Sequence, residues 1–244
     1  MNPIYLDIGN SSFKLAAKDQ ENNWGILMRG GIHEFGKLTE YINRQEKLSG
    51  IIYSSVRKDV KEKLESGFQH IQLYSIHSGL IPPEYLNYDT PETLGIDRFL
   101  ACFGAVHDSG NSVIVIDAGT ACTIDYMTAQ GVFDGGVILP GITVLKKSMK
   151  ELLPELPPAS ELKKPGFPGK STLDCISIGL YDGFAATLKE FINRFRQLDK
   201  SAGVYVTGGD SSLVRSLIGS EVSVQEKEFL LFEGMESFSQ KFSR

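Results

Sequence analysis

Two stretches of the chain share one pattern. In IYLDIGNSSFKLA, near the amino terminus, and in VIVIDAGTACTID, an apolar run leads to Asp-x-Gly followed by Asn or Thr. Asp7 and Asp117 head the two copies, 110 residues apart. A tight turn at the end of a strand exposes backbone N–H groups, and glycine lets another group approach them closely. Each copy opens a half of the chain in which strands later alternate with helices. The pattern predicts one α/β domain duplicated in tandem, with the boundary near Gly110: residues 1–110 and 111–244. A chain of 244 residues accommodates two modest domains.

In the first half, Ile4–Leu6 reads as a strand, residues 7–12 as a turn and FKLAAK as the returning strand. Residues 35–47 have amphipathic helical spacing, GIIYSSV (50–56) is an apolar, β-branched strand pattern, and KDVKEKLESGF reads as a helix stopped at Gly67. IQLYSI is a further strand. A proline-containing loop with Pro82, Pro83 and Pro91 precedes IDRFLACFGAVHDS, a helix ending at Gly110. In the second half SVIVIDAGTACTIDYM reads strand–turn–strand, and GVFDGGVILPGI is a third strand with a glycine-rich break. TVLKKSMKELLPEL is helical up to Pro154, and 154–170 is a loop. A long helical pattern over 172–198 carries an interruption at Gly179 or Gly183. GVYVTGGD is a strand opening onto a glycine turn, and the remainder supplies one or two helices around a short strand, VSV (222–224).

The composition is that of a globular protein, 41% hydrophobic and 23% charged. A net charge of -5 argues against a nucleic-acid partner, because phosphate backbones demand a basic surface. Cys102, Cys122 and Cys175 form no CxxC pair and sit in apolar sequence, which predicts three buried free thiols. The amino terminus lacks a basic region followed by an apolar core, and no run reaches the roughly 20 apolar residues of a membrane helix. The expectation is a cytoplasmic protein without a membrane partner.

Backbone N–H groups, hydroxyls and the Asn10 amide at the Asp-x-Gly turns can donate to phosphate oxygens. Aspartate cannot bind phosphate directly, but it can act through a cation. Two such turns facing each other would clamp a triphosphate; one alone reads as an ordinary hairpin turn. The tip of VTGGD is bare backbone against which a flat nucleoside could lie. GFPGKST (166–172) fails as a phosphate loop because its glycines are three residues apart where the motif needs five. The histidines at 33, 70, 77 and 107 show no ligand spacing. In LGIDRF (94–99) a carboxylate and a guanidinium adjoin at the start of an apolar helix face. One reading is a helix cap with a local ion pair; the other makes Asp97 a general base and Arg98 an anion clamp.

The ordered series DIGNSS, YDTPETLGIDR, DAGTACT, GGVILPG, GKST and VTGGD resembles type III pantothenate kinases over nearly the whole chain. The resemblance implies the fold of the acetate kinase, sugar kinase, Hsp70 and actin superfamily: α/β, two ribonuclease-H-like domains in tandem with an ATP cleft between them. It implies a phosphotransferase that moves the ATP γ-phosphoryl to the primary hydroxyl of pantothenate, the first step of coenzyme A biosynthesis. It further implies a homodimer, Mg2+, and a monovalent cation, K+ or NH4+. Carried over residue by residue, it gives ATP to Asp7, Ile8, Gly9, Asn10, Ser11, Ser12, Phe13, Lys14 and Thr120, with Asp7 orienting hydrated Mg2+. Tyr88, Gly95, Ile96, Asp97, Arg98 and Thr172 would contact pantothenate, Asp97 would accept the hydroxyl proton, and Asp117 would hold the monovalent cation. Ser11 stands where the family usually has Thr, and Ser171 where Asn is commoner. An ordinary carboxylate pKa near 4 would leave Asp97 ionised at neutral pH. A competing implication is a nucleotide-sensing regulator that keeps the fold without turnover.

Overall fold

The computed structural model describes residues 3–45, 48–57, 63, 64, 67, 68, 71–158 and 165–242. The chain forms two compact units, Met1–Ser109 with Phe229–Arg244, and Gly110–Glu228. The division at 109/110 lies one residue from the 110/111 boundary expected from the sequence. The carboxy-terminal segment, expected in the second domain, belongs to the first.

The first unit carries β1 (Ile4–Ile8), β2 (Ser12–Lys18), β3 (Trp24–Gly31), α1 (Phe35–Asn43), β4 (Ile51–Ser55), β5 (Leu73–Ile76) and α2 (Ile96–Ser109). The carboxy-terminal helix, Leu230–Phe242, completes it. The strand order is β3-β2-β1-β4-β5, antiparallel through the first three strands and parallel from β1 to β4 to β5. Strands β1 and β4 are central, so their apolar runs are buried on both faces. One face sets Ile4, Leu6, Ile8, Phe13 and Leu15 against Leu38 and Ile42, the pair that α1 presents one turn apart. On the other face Tyr5 meets Trp24 edge-on at 5.0 Å, and Trp24 stacks on Phe229 at 6.3 Å.

Helix α2 lies directly against the carboxy-terminal helix. A Cβ on Gly234 would run into the Leu100 carbonyl oxygen; one on Gly104 would run into the Leu230 carbonyl and lie 2.8 Å from Gly234 N. The absent side chains are what let the two backbones touch. Around the crossing, Phe99 stacks on Phe103 at 5.5 Å, and Phe238 packs edge-on against both. Tyr85 joins Phe103 and Phe242 at ring distances of 6.4 and 5.3 Å.

The second unit carries β6 (Val113–Ala118), β7 (Ala121–Met127), β8 (Phe133–Pro140), α3 (Ile142–Leu152), α4 (Thr172–Ser177), α5 (Gly183–Leu198), β9 (Gly203–Thr207), α6 (Ser211–Ile218) and β10 (Gln225–Glu226). Its sheet has the order β10-β9-β6-β7-β8. Read from β8 inward, three antiparallel strands are followed by parallel pairings from β6 to β9 to β10, as in the first unit. Two units with one topology are what the duplicated turns require. Ile114, Ile116 and Ala118 of β6 share a core with Leu188 and Ile192 of α5 and with Val214 and Ile218 of α6.

Several local expectations change. The glycines of β8 do not break it: Gly135 has φ 86°, the register shifts opposite Asp125, and the strand continues to Pro140. A Cβ on Gly136 would collide with the buried Asp125 side chain, so this bulge makes room for a carboxylate. The interruption near Gly179 is a π-helical turn, Ile178–Asp182, rather than a break. Cys175 is exposed, whereas Cys102 and Cys122 are buried. The short strand expected at 222–224 lies at Gln225–Glu226. Strand β3 was not anticipated: its apolar residues Trp24, Ile26, Leu27 and Met28 are flanked by Gly25, Gly30 and Gly31, which read as turn, and as an edge strand it alternates half-buried and exposed residues. The helix expected over 58–68 falls largely outside the described residues. Among those described, no helix is long and apolar enough to cross a membrane.

Because the collision at Gly234 is with backbone, no rotamer change can relieve it. Gly234→Ala is expected to lose about 1–3 kcal/mol of stability, read as a lowered midpoint in thermal or urea unfolding. An unchanged midpoint would refute the close crossing.

Candidate active site

Within the first unit, the Asp7 turn is a hairpin tip of three residues, Gly9–Ser11. Gly9 N donates to Ser12 O at 2.9 Å and closes it. Asn10, Ser11 and Ser12 are exposed, whereas Ile8 and Phe13 are buried and anchor the tip as a cross-strand pair. Asp7 stands level with Lys14 on β2 and with Ser54 on β4. Ser54 Oγ donates to Asp7 Oδ1 at 3.0 Å. Arg57 Nη1 donates to Asn10 O at 2.9 Å and so brings a guanidinium to the turn. The turn therefore combines exposed hydroxyls and N–H groups with one held carboxylate and nearby cations, a set suited to phosphate oxygens and a hard metal ion.

Gly95–Arg98 form the start of α2. Arg98 N donates to Gly95 O at 3.2 Å and to Asp97 Oδ1 at 2.9 Å. Arg98 is buried, 8% exposed, and Asp97 is half-buried. Burial pushes the Asp97 carboxyl above its usual range; the Arg98 backbone N–H and guanidinium pull the other way and do not cancel it. The expectation of an ordinary pKa is thus corrected. A Cβ on Gly95 would lie 2.6 Å from Asp97 Oδ1, so glycine at this position leaves room for the carboxylate. Tyr88 is half-buried in the preceding loop.

In the second unit, Gly119 N donates to Ala121 O at 3.0 Å and closes the Asp117 turn. Thr120 is exposed at its tip, and its carbonyl accepts from Gly141 N at 2.9 Å. Asp117 stands level with Thr207 of β9, where the Thr-Gly-Gly-Asp tip begins. Gly208 has φ 95°, and a Cβ there would lie 2.5 Å from both Ala118 O and Asp117 Oδ1. Asp210 N donates to Ala118 O at 2.9 Å. The Asp-x-Gly turn and the VTGGD tip, separate motifs in the sequence, are therefore one structure. Burial first, and then the charges of Asp117, Asp125 and Asp210, push the Cys122 thiol to about 12. Asp210 is a candidate residue to which sequence reading gave no role; its signal is the carboxylate that closes a glycine tip. Thr172 is exposed at the first turn of α4, an element separate from the Asp117 turn, and the preceding Ser171 caps that helix by accepting from Asp174 N at 3.2 Å. Among the described residues no group of three or more His, Cys, Asp or Glu side chains could hold a metal ion.

The family model for type III pantothenate kinase matches residues 4–194. The chain belongs to the type III pantothenate kinase family. It is similar to the type III pantothenate kinase of Phocaeicola vulgatus, 31% identical with 95% of each chain covered. Among solved structures it is similar to a Campylobacter jejuni protein described as a Baf family transcriptional activator, at 26% identity, 98% coverage of each chain and TM-score 0.67. It shares its fold with a ROK family glucokinase from Streptomyces griseus, at 13% identity, 99% and 100% coverage and TM-score 0.59. The fold is therefore the two-domain, actin-like kinase fold, and the chain is a kinase that transfers a phosphoryl group.

The raised pKa of Asp97 has a stability consequence. Folded protein holds that proton more tightly than unfolded chain, so the group's contribution is full below the unfolded pKa. It is lost as pH rises through the folded pKa. Once ionised, the buried carboxylate opposes folding. Asp97→Asn keeps an oxygen for Arg98 N and removes the charge, so its melting temperature at pH 7 is expected to equal or exceed that of the unmodified protein. A clear drop would contradict the burial argument.

Proposed function

We propose that the protein phosphorylates pantothenate at its primary hydroxyl with ATP, giving 4'-phosphopantothenate for coenzyme A synthesis. The observation that carries this is the Gly95–Arg98 helix start, with its pushed-up carboxylate, in a member of this kinase family. Asp97 accepts the hydroxyl proton as the oxygen attacks the γ-phosphorus and ADP leaves. A loose transition state asks chiefly for position and charge neutralisation. A carboxylate whose pKa is pushed up takes that proton more readily than an ordinary one. Arg98, Gly95, Ile96, Tyr88 and Thr172 are assigned to pantothenate.

The Asp7–Lys14 hairpin and Thr120 are assigned to the nucleotide. Mg2+ fits Asp7, because this metal is bound by one or two carboxylates plus substrate phosphates rather than by an all-protein cage. Mg2+, when bound, would supply charge neutralisation at the phosphates, and Asp7 would hold it. A monovalent cation, K+ or NH4+, is assigned to Asp117, which stands at the turn beside the Gly208 backbone and contributes a hard oxygen ligand. A homodimer is supported by apolar side chains left uncovered on the second unit, among them Ile138, Leu152 and Phe167 at 61%, 76% and 88% exposure.

A coupled assay should show ATP consumption that depends on pantothenate and is stimulated by K+. The kcat/KM profile should fall on the acid side at a pH above the ordinary carboxylate range of about 4, because Asp97 works only when ionised. Asp97→Asn should lose most of kcat while staying folded, and Asp117→Ala should abolish activity or raise the K+ requirement. Folded protein that binds nucleotide yet ignores pantothenate would favour the regulatory reading instead.

A further inference from the structure

We propose that Ser54 is a positioning residue for the nucleotide turn: its buried hydroxyl sets the orientation of the Asp7 carboxylate toward the nucleotide's divalent ion. The inference deepens the assignment of Asp7 made above and rests on it. Strands β1 and β4 run parallel with Asp7 level with Ser54. Level residues on neighbouring strands point to the same face of the sheet. Ser54 is 1% exposed and follows Ile51, Ile52 and Tyr53, the apolar run of β4. A hydroxyl taken out of water at such a place is costly unless it is hydrogen-bonded.

A hydroxyl has one proton to give. Two acceptors lie within reach, Asp7 Oδ1 at 3.0 Å and Met235 Sδ at 4.0 Å. A carboxylate is much the stronger acceptor, so the proton belongs to Asp7. Met235, from the carboxy-terminal helix, packs beside the hydroxyl. The bond to Oδ1 fixes the carboxylate's rotation. The neighbouring serine acts elsewhere. Ser55 Oγ accepts from Arg57 N at 3.1 Å and donates to Arg57 O at 2.9 Å, shaping the segment from which Arg57 reaches Asn10. Were Ser54 mere filling, alanine would serve there without burying a polar group.

The test is calorimetric titration with a non-hydrolysable ATP analogue, in Mg2+ and in EDTA. It is applied to the unmodified protein, Ser54→Ala, Ser54→Thr, Asp7→Asn and the Asp7→Asn/Ser54→Ala pair, with thermal melts as a folding control. Ser54→Ala is expected to lose about 10-fold of the affinity that Mg2+ adds, with binding in EDTA unchanged. Ser54→Thr, which keeps the hydroxyl, should recover most of that loss, and the double variant should match Asp7→Asn alone. Equal losses with and without Mg2+, no loss at all, or a full further loss in the Asp7→Asn background would each overturn the proposal. If the unmodified protein bound nucleotide without regard to Mg2+, the Asp7 assignment would fall and this one with it. Mg2+-dependent binding without pantothenate phosphorylation would instead overturn only the choice of substrate.

Discussion

The contact on which the first unit depends is the crossing of α2 and the carboxy-terminal helix at Gly104 and Gly234, where side chains would collide with backbone. Two consequences follow from such close approach. Phe99, Phe103 and Phe238 interlock around the crossing, so the start of α2, where Asp97 stands, is held by packing well beyond its own turn. The same helix brings Met235 over Ser54 and Glu236 to Lys18, an ion pair of 2.5 Å that is mostly screened from solvent. Tyr5, buried beside Glu236, is pushed up to about 12 and stays a neutral phenol. The last helix of the chain thus supports the first strand.

The two sheets solve the same problem, once each. A parallel neighbour placed beside the strand that ends in Asp-x-Gly sets a second chain segment level with the aspartate: Ser54 for Asp7, Thr207 for Asp117. In the first unit that neighbour supplies a hydroxyl donor. In the second it leads into the Gly208 turn, whose left-handed backbone packs bare against Asp117. Similar backbones therefore hand their aspartates different surroundings. One carboxylate is bonded by a donor beside cations; the other shares its neighbourhood with Asp125 and Asp210.

Much of this was legible in residues. The two Asp-x-Gly turns implied the duplication, and their strands, the helix that opens within LGIDRF and the strand that runs into VTGGD stand at or within a residue or two of where periodicity put them. What escaped reading has physical causes. β3 carries apolar residues, but Gly25, Gly30 and Gly31 punctuate them like a turn, and its pairing with β2 at the sheet edge supplies the extended structure. The carboxy-terminal helix looks like any amphipathic helix, and nothing local says which sheet it will cover; that is decided by the long-range fit of Gly234 to Gly104. Cys175 follows an apolar pattern, yet its segment starts a helix at the surface. The direction of the Asp97 shift could not be read either, because a carboxylate beside an arginine suggests a lowered pKa until burial is known.

That last case shows why the site cannot be inferred from charge pairing alone. Beside Arg98 in water, Asp97 would be a weaker base than a free carboxylate. The packing that buries Arg98 also strips solvent from Asp97, and the loss outweighs the attraction. Glycine at position 95 leaves space for the carboxylate instead of forcing it aside. A group that resists ionisation is one that accepts a proton readily, so the energy withheld from folding by this carboxylate is a property useful to proton transfer. The fold tolerates that cost at the end of a helix whose other contacts, down to the glycine crossing, are tightly packed.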